Sequence, residues 1–353
     1  MNVLLTCAGR RSYLVQFFQR ALGLRGQVIA CDASASAPAL LAADRTFVVP
    51  AVDHAEYFEV LESICREQSV SLLFSVNEME LRGLAQRAAS FREFGTTVVV
   101  SAPEVIATCQ DKWSAYCLLR DADIPAPKTF LSLDETRQAL ARREIRFPLL
   151  IKPRWGVSSM GIERIECDHE LDLAQQWSAI RLKRCGLVRM SRSDPERPFV
   201  FQECLSGQEY GMDVVNDLNG NYACTLARRK LAMRAGCTDR AVTVEEPRLE
   251  RLGRVLARRL RHLGNLDCDV MANDDGCFVL DLNPRFGGGY PFSHLAGADV
   301  PAALVAWAEC REPDPAWLRS RPGVLTAIFD GLAVVDGGVE SHELQAELAA
   351  VVS

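Results

Sequence analysis

The sequence predicts an α/β protein whose N-terminal part is a doubly wound parallel sheet and whose remainder is built on β-hairpins. Three observations carry that expectation. Val3-Leu4-Leu5-Thr6-Cys7, a turn at Ala8-Gly9-Arg10-Arg11-Ser12, apolar residues at helical spacing from Tyr13 to Leu22, and Val28-Ile29-Ala30-Cys31-Asp32 make a β-α-β opening. Asn219-Gly220 and Asp275-Gly276 each lie between short apolar runs, the signature of a tight hairpin. After the second of these, Asp281-Leu282-Asn283-Pro284-Arg285 ends a strand in an ordered set of polar groups.

Composition bounds the reading. At 353 residues the chain can bury a full core, and two or three packed subdomains are expected. With 40 basic and 46 acidic residues, net charge −6, there is no concentrated basic face, so nucleic-acid partners are not expected. The 13 cysteines form no C-x-x-C pair and mostly sit inside apolar runs (Cys7, Cys31, Cys204, Cys224, Cys268, Cys277), as small hydrophobes do in a reducing cytoplasm. The apolar start at Met1 to Gly9 is too short for a signal core, and no apolar span reaches membrane length. A soluble, cytoplasmic chain without a membrane partner is expected.

The elements follow in order. Thr46-Phe47-Val48-Val49-Pro50, a helix from Tyr57 to Glu67, Ser71-Leu72-Leu73-Phe74-Ser75 and Thr97-Val98-Val99-Val100-Ser101 extend the alternation into a parallel sheet. A strand, a glycine turn and Asp32 mimic a dinucleotide fingerprint. G-x-G-x-x-G is absent, however, and Arg10-Arg11 would crowd a pyrophosphate, so NAD is not expected. Ser75-Val76-Asn77-Glu78 falls at a strand's C-terminal end, where open α/β sheets bind ligands. Glu78 is a candidate for meeting a substrate amine, against the plainer reading of a solvated loop acid.

Pro103 opens a helical stretch, Asp111-Lys112 precedes another at Trp113 to Leu119, and Pro125 and Pro127 close the unit. Phe147 to Ile151 is an apolar strand that delivers Lys152 to a phosphate site before Pro153 stops it. In Arg154 to Ile162, spaced glycines free the backbone to fold over phosphates, with Ser158, Ser159 and Gly161 supplying hydroxyls and amides. The next helix starts at Asp168 and carries Leu171, Leu173, Trp177 and Ile180; Arg181-Leu182-Lys183-Arg184 is its solvated end.

Phe199-Val200-Phe201 runs through Gln202-Glu203-Cys204-Leu205 into Gly207, and exposed backbone there offers the donors and acceptors that purine recognition requires. Met212 to Asp217 and Tyr222 to Ala227 flank Asn219-Gly220 as strands. Arg228-Arg229-Lys230 through Asp239 is expected to be a substrate loop. In it Arg234 is suited to clamp a carboxylate or a γ-phosphate, a solvated basic face being the alternative. Leu249, Leu252, Val255, Leu256, Leu260 and Leu263 form a scaffold helix stripe. A helix at Pro301 to Trp307, a strand at Val324 to Phe329 and a tail helix around Glu340 to Val352 complete the chain.

The chemistry sits on the second hairpin. Period-2 side-chain direction sends Asp281 and Asn283 to one face, opposite Leu280 and Leu282, and the partner strand brings Asp269 beside them. Two carboxylates and an amide, followed by Arg285, suit Mg²⁺ held against polyphosphate with a guanidinium taking up charge on the group in transfer. A capped turn followed by a flexible Gly287-Gly288-Gly289 loop is the plainer alternative.

This segment resembles the metal-binding hairpin of the ATP-grasp superfamily, whose pattern is an acid, then acid-x-Asn-Pro-Arg, and the likeness extends over nearly all of the chain. It implies a pre-ATP-grasp Rossmann-like lobe (1–107) followed by a two-lobed ATP-grasp α+β domain: an N-terminal lobe with a glycine-rich lid (108–201), a C-terminal lobe with the metal hairpin (202–313), and an extension (314–353). By the same resemblance Lys112 and Lys152 contact ATP phosphates. Ser158, Ser159 and Gly161 belong to the lid. Gln202, Glu203, Cys204 and Leu205 form the adenine hinge, with Gln202 departing from the relatives' Glu or Val, and Glu209 meets the ribose. Asp269, Asp281 and Asn283 hold the metal, Asp281 being one methylene shorter than the family's usual glutamate. Arg285, Arg234 and Lys152 are the implied catalytic groups.

The activity so implied is a carboxylate-amine ligase. ATP, with Mg²⁺ or Mn²⁺, phosphorylates a small carboxylic or amino acid, and an amine attacks the acyl phosphate to give an amide, ADP and phosphate. Small-molecule acid and amine substrates are the expected partners, with a homodimer as the expected assembly if the chain associates. No biotin-carrier segment, glutaminase partner or second ATP-grasp half is expected. The alternatives are a bicarbonate- or carbamate-phosphorylating enzyme and a nucleotide-binding module without turnover.

Overall fold

The computed structural model describes residues 1–156, 160–184, 191, 193–329 and 331. Its first sheet is parallel: β1 (Asn2–Thr6), β2 (Val28–Asp32), β3 (Arg45–Val48), β4 (Val70–Ser75) and β5 (Thr97–Val98), in the order β3-β2-β1-β4-β5. Helices α1 (Ser12–Leu22), α2 (Tyr57–Glu67) and α3 (Glu78–Glu93) connect these strands. The apolar spacing of α1 buries Leu14, Val15, Phe17, Phe18 and Leu22, while Asn77 caps α3 by accepting from the Met79 amide at 3.0 Å. Strand order reverses between β1 and β4, where Thr6 pairs with Ser75, so the loops leaving these two strands open a crevice at the sheet's carboxyl edge.

Helices α4 (Pro103–Gln110) and α5 (Lys112–Asp121) lead into a second, antiparallel sheet of β6 (Thr129–Phe130), β7 (Leu149–Pro153), β8 (Glu163–Ile165) and β9 (Phe199–Glu203), ordered β6-β9-β7-β8. It is accompanied by α6 (Leu133–Ala141) and α7 (Asp168–Arg184). The third sheet is antiparallel and six-stranded: β10 (Gln208–Asn216), β11 (Tyr222–Arg234), β12 (Cys237–Val244), β13 (Gly264–Asn273), β14 (Gly276–Asn283) and β15 (Leu325–Ala327), ordered β14-β13-β10-β11-β12-β15. Helix α8 (Pro247–Leu260) covers one face with Leu249, Leu252, Leu256 and Leu260. Helices α9 (Tyr290–Leu295) and α10 (Val300–Ala308) return to the first sheet. Phe286, Tyr290, Val300 and Leu304 share one core with Phe17 and Phe18 of α1, which fixes the hairpin's exit against the parallel sheet.

Several expectations are corrected. The stretch from Arg228 to Asp239 is not a loop but most of the β11–β12 hairpin, turning at Ala235 and Gly236. The period-2 burial of Leu226, Arg228 and Lys230 carries the strand onward because both cations find carboxylates within the sheet, Asp213 and Glu209 on adjacent β10 and Asp269 on β13 beyond it. Leu280 does not lie opposite Asp281. Asp269 pairs with Asp281 but Val270 with Val279, so Leu280 is the extra residue of a β-bulge and faces the same cavity as Asp281. The boundary between 201 and 202 cuts β9, which stays paired with β6 and β7 to its end. The region read as an extension supplies β15, paired with β12. The expected strand at 97–101 is only the two residues of β5, and the tail helix around Glu340 to Val352 lies outside the described residues.

Candidate active site

The second and third sheets face each other across a cavity of about 230 Å³ whose lining includes Lys112, Lys152, Glu209, Asp269 and Asp281. Five residues singled out from sequence therefore meet in one place. Lys152 arrives on the buried strand β7, and its Nζ donates to Gln202 Oε1 at 2.6 Å while Gln202 Nε2 donates to Thr129 Oγ1 at 3.0 Å. Burial, and then the like charge of Lys112, push Lys152 down to about 8. Lys112 opens α5, which Asp111 caps at the Trp113 amide, and its Nζ lies 3.2 Å from Gly156 O and 3.8 Å from Asp281 Oδ1.

On the opposite wall, β13 and β14 present Asp269 against Asp281 and Asp267 against Asn283. Burial opposes the charge on Asp281, but Lys112 and Lys152 outweigh it and hold the carboxyl below the usual carboxylate range. Asp269 goes the other way. Burial, reinforced by Asp267 and Asp281, lifts it to about 6 against the attraction of Lys230. With 32% of its side chain open to the cavity, water moderates that rise. Lys230, on β11, sits 2.6 Å from Asp269 Oδ1 and 2.7 Å from Glu209 Oε1.

Beyond the hairpin lies a chain of buried ion pairs. Arg285 Nη2 pairs with Glu78, at the start of α3, and its Nη1 donates to Asp267 Oδ2 at 3.3 Å. Asp267 Oδ1 accepts from Arg228 Nη2 at 3.1 Å, and Arg228 Nη1 donates to Asp213 Oδ2 at 2.5 Å. Asp213 is completed by Asn265 at 3.1 Å and Ser293 at 2.9 Å. Glu78 is thus not a solvated loop acid but a buried partner of Arg285. Gly287-Gly288-Gly289 is not a free loop either: a Cβ at Gly287 would collide with the Asp267 carboxylate, and one at Gly289 with the Arg228 guanidinium.

Other residues singled out from sequence are placed elsewhere. Arg234 is exposed near the tip of the β11–β12 hairpin, 3.1 Å from Asp239, while its neighbours Met233 and Gly236 line the cavity. The side chain of Gln202 is spent on Lys152 and Thr129. Glu203 Oε2 accepts from the Lys128 amide at 3.3 Å, and Cys204 Sγ lies 3.5 Å from Arg164 Nη1. Cys204, Leu205 and Ser206 link β9 to β10 outside both sheets. Gly161 has φ +75° and packs on Pro153. Ser158 and Ser159 lie outside the described residues. Sequence reasoning missed Asp267 and Arg228 and ranked Lys230 below Arg234 as a clamp. The period-2 pattern could have found them, since 267 shares a face with 269, and 228 and 230 continue the face of 226.

The donor chemistry fits a magnesium nucleotide. Among the described residues no group of three or more His, Cys, Asp or Glu side chains could hold a metal by itself. Asp269 and Asp281 paired across the hairpin, with Asn283 donating to Asp281 at 3.4 Å, give two carboxylates and an amide. Mg²⁺ uses such a partial oxygen set when phosphates complete its shell. Lys112 and Lys152 line the same cavity, and Lys230 contacts Asp269 from β11.

Comparison with known proteins agrees with this geometry. Residues 3–99 match the family described as PylC-like, N-terminal domain, and residues 195–323 match ATP-grasp in the biosynthetic pathway with Ter operon. The biotin carboxylase domain of Hydrogenobacter thermophilus 2-oxoglutarate carboxylase, solved with MgADP, ADP and bicarbonate, superposes with a TM-score of 0.69 at 16% identity, over 88% of this chain and 70% of that one. N5-carboxyaminoimidazole ribonucleotide synthetase from Thermotoga maritima gives 0.64 at 17% identity, over 90% and 78%. L-amino acid ligase from Bacillus licheniformis gives 0.63 at 17%, over 86% and 74%. The parallel sheet falls within the PylC-like match and the β13–β14 hairpin within the ATP-grasp match, so the chain is similar to ATP-grasp proteins over these two stretches and shares their fold.

Proposed function

We propose that the chain is an ATP-dependent ligase that joins a small carboxylic or amino acid to an amine through an acyl phosphate, forming an amide and releasing ADP and phosphate. One observation carries this reading. Lys112 and Lys152 face Asp269 and Asp281 across a single cavity, and Arg285 is fixed beyond them at the end of the same hairpin. In this proposal Lys112, Lys152 and Lys230 bind phosphate oxygens, and the backbone between Glu203 and Gly207 meets the adenine edge. Asp269, Asp281 and Asn283 hold Mg²⁺, which when bound neutralises charge on the triphosphate. Arg285 orients the transferred phosphoryl group and then the acyl phosphate. Arg234 is too exposed to serve as a desolvated clamp, so that role passes to Lys230 and Arg285. The lobes assigned are 1–107, 108–203 and a third that starts at 204 and includes β15, the boundary between the last two falling at the end of β9.

Hydroxylamine tests the reading, because a strong nucleophile intercepts an acyl phosphate whatever amine normally arrives. With MgATP and a panel of amino and other small acids, the expected result is a hydroxamate that depends on ATP, Mg²⁺ and one class of acid. Phosphate release driven by bicarbonate alone would replace this reading with a bicarbonate-activating one. ATP binding with neither product would reduce the chain to a binding module.

A further inference from the structure

We propose that Arg154 is a positioning residue of the nucleotide site, which touches no nucleotide itself and sets Lys112 against the phosphates by gripping the residue that caps α5. The inference rests on the assignment of Lys112 to ATP phosphates and adds a residue to which that reading gives no role.

Lys112 holds a place that its helix does not favour. A cation in the first turn opposes the helix dipole, and α5 has no acid in its first turn to offset it. The turn is held instead by the cap, Asp111. Its Oδ1 accepts from the Trp113 amide at 3.1 Å and its Oδ2 from the Ser114 hydroxyl at 2.7 Å. Arg154 closes on the same carboxylate as a fork, with Nε 2.7 Å from Oδ1 and Nη2 2.8 Å from Oδ2. The main chain repeats the link, because the Lys112 amide donates to the Arg154 carbonyl at 3.1 Å.

The arginine is fixed on its remaining sides. Its Nη1 donates to Asp194 Oδ2 at 2.8 Å, its guanidinium carbon lies 4.3 Å from the centre of the Trp155 ring, and its amide donates to Pro198 O at 2.8 Å, just ahead of β9. Arg154 and Asp111 are buried, and neither lines the cavity. Lys112 does line it, with Nζ 3.2 Å from Gly156 O and 3.8 Å from Asp281 Oδ1. With both Asp111 oxygens taken by the fork, the neighbouring ammonium is not drawn back to that carboxylate and reaches into the cavity. A lysine at 154 would keep the charge, but a single ammonium cannot serve both Asp111 oxygens and Asp194 in the fork's geometry.

The test is a double-mutant cycle on MgADP affinity in the full chain, measured by calorimetry, with adenosine as the ligand that lacks phosphates. Arg154→Lys is expected to weaken MgADP binding by about tenfold in the wild-type background and by less than about twofold in Lys112→Met, where nothing is left to position. Adenosine, competing with a fluorescent ADP analogue, is expected to bind Arg154→Lys as it binds the wild type. A purely structural role would weaken both ligands and would add to the loss in Lys112→Met. Asp194→Asn removes only the outer contact and is expected to show the same pattern at about threefold. It carries the test alone if Arg154→Lys does not fold. Losses that add in the Lys112→Met background, or that fall equally on adenosine, overturn the proposal, and so does an unchanged MgADP affinity in the folded variant. Neither readout needs an acid or an amine, so a chain that binds MgADP without ligating anything still decides the matter. A wild type that binds adenosine as tightly as MgADP sinks the phosphate role of Lys112 and this proposal with it.

Discussion

The Glu78 carboxylate and the Arg285 guanidinium, 207 positions apart in sequence, meet in a buried ion pair that ties the parallel sheet to the exit of the metal-type hairpin. Arg285 is enclosed on its other side by Asp267, and burial, which alone would lower its pKa, is outweighed by Glu78 and Asp267 so that the guanidinium is firmly charged. Removing one partner of such a pair leaves an uncompensated charge, a loss of about 3–5 kcal/mol when the pair is fully buried. Glu78→Gln keeps the shape and one hydrogen bond, so a smaller cost of about 1–3 kcal/mol is expected, read as a fall in acyl transfer with the KM for ATP nearly unchanged. A rise confined to the KM for ATP would show that Arg285 is not what Glu78 positions.

The two hairpin aspartates are expected to titrate apart. Asp281 is held low by Lys112 and Lys152 and stays ionised, whereas Asp269 is raised to about 6. Between the ordinary carboxylate range and about 6 the folded protein therefore carries a proton on Asp269, which Mg²⁺ would have to displace under the proposed assignment. Magnesium affinity should fall as pH drops through that window and level off above it. The same raised value costs stability above about 6, and protonation restores it as pH falls. Calorimetric titration with MgADP checks the slope, and Asp269→Asn should abolish it. Asp281→Asn is expected to keep the fold by circular dichroism and lose most ATP turnover; full turnover in that variant would remove Asp281 from the metal set.

Local signals made part of this legible in the sequence. The hairpin could be read because an Asp-Gly turn and a period of two place Asp269, Asp281 and Asn283 with no knowledge of the rest of the chain. Lys152 could be read because an apolar strand that ends in lysine and proline has few other uses. Arg228 was hidden and Lys230 was ranked below Arg234, since Arg228-Arg229-Lys230 looks like a solvated run until Asp213 on β10 and Asp269 on β13 flank it. The bulge at Leu280 is set by pairing with β13, and strict alternation misplaces that side chain. Glu78 needed the whole fold, because nothing near it in sequence announces Arg285.

Lys152 sets an alkaline limit. With its pKa lowered to about 8, it is neutral above that pH in the unliganded protein, and a bound phosphate favours the charged form again. Nucleotide binding near that pH should draw a proton from solvent, and affinity for ADP should weaken as pH rises through about 8. Gln202→Glu would put a carboxylate where Gln202 Oε1 now lies 2.6 Å from the ammonium. That change is expected to raise the lysine's pKa and move the limb to higher pH. Titration in buffers of different ionisation enthalpy measures the proton directly. A limb that stays in place in Gln202→Glu would assign it to another group.

The three glycines after Arg285 should differ in what they tolerate. At Gly287 a methyl group would meet the Asp267 carboxylate, and at Gly289 the Arg228 guanidinium, both locked by the ion pairs that fix Arg285. Neither neighbour can give way without breaking a buried charge contact, so alanine at either position is expected to cost about 1–3 kcal/mol. It should also displace Arg285, which would appear as loss of acyl transfer in protein that still binds ADP. At Gly288 the nearest atom is the far end of Arg11, which can rotate aside, so alanine there is expected to cost less stability than at its neighbours. Thermal unfolding of Gly287→Ala, Gly288→Ala and Gly289→Ala, alongside ADP binding, decides the matter. Equal destabilisation by all three would mean that the loop is limited by its backbone and not by the Asp267 and Arg228 side chains beneath it.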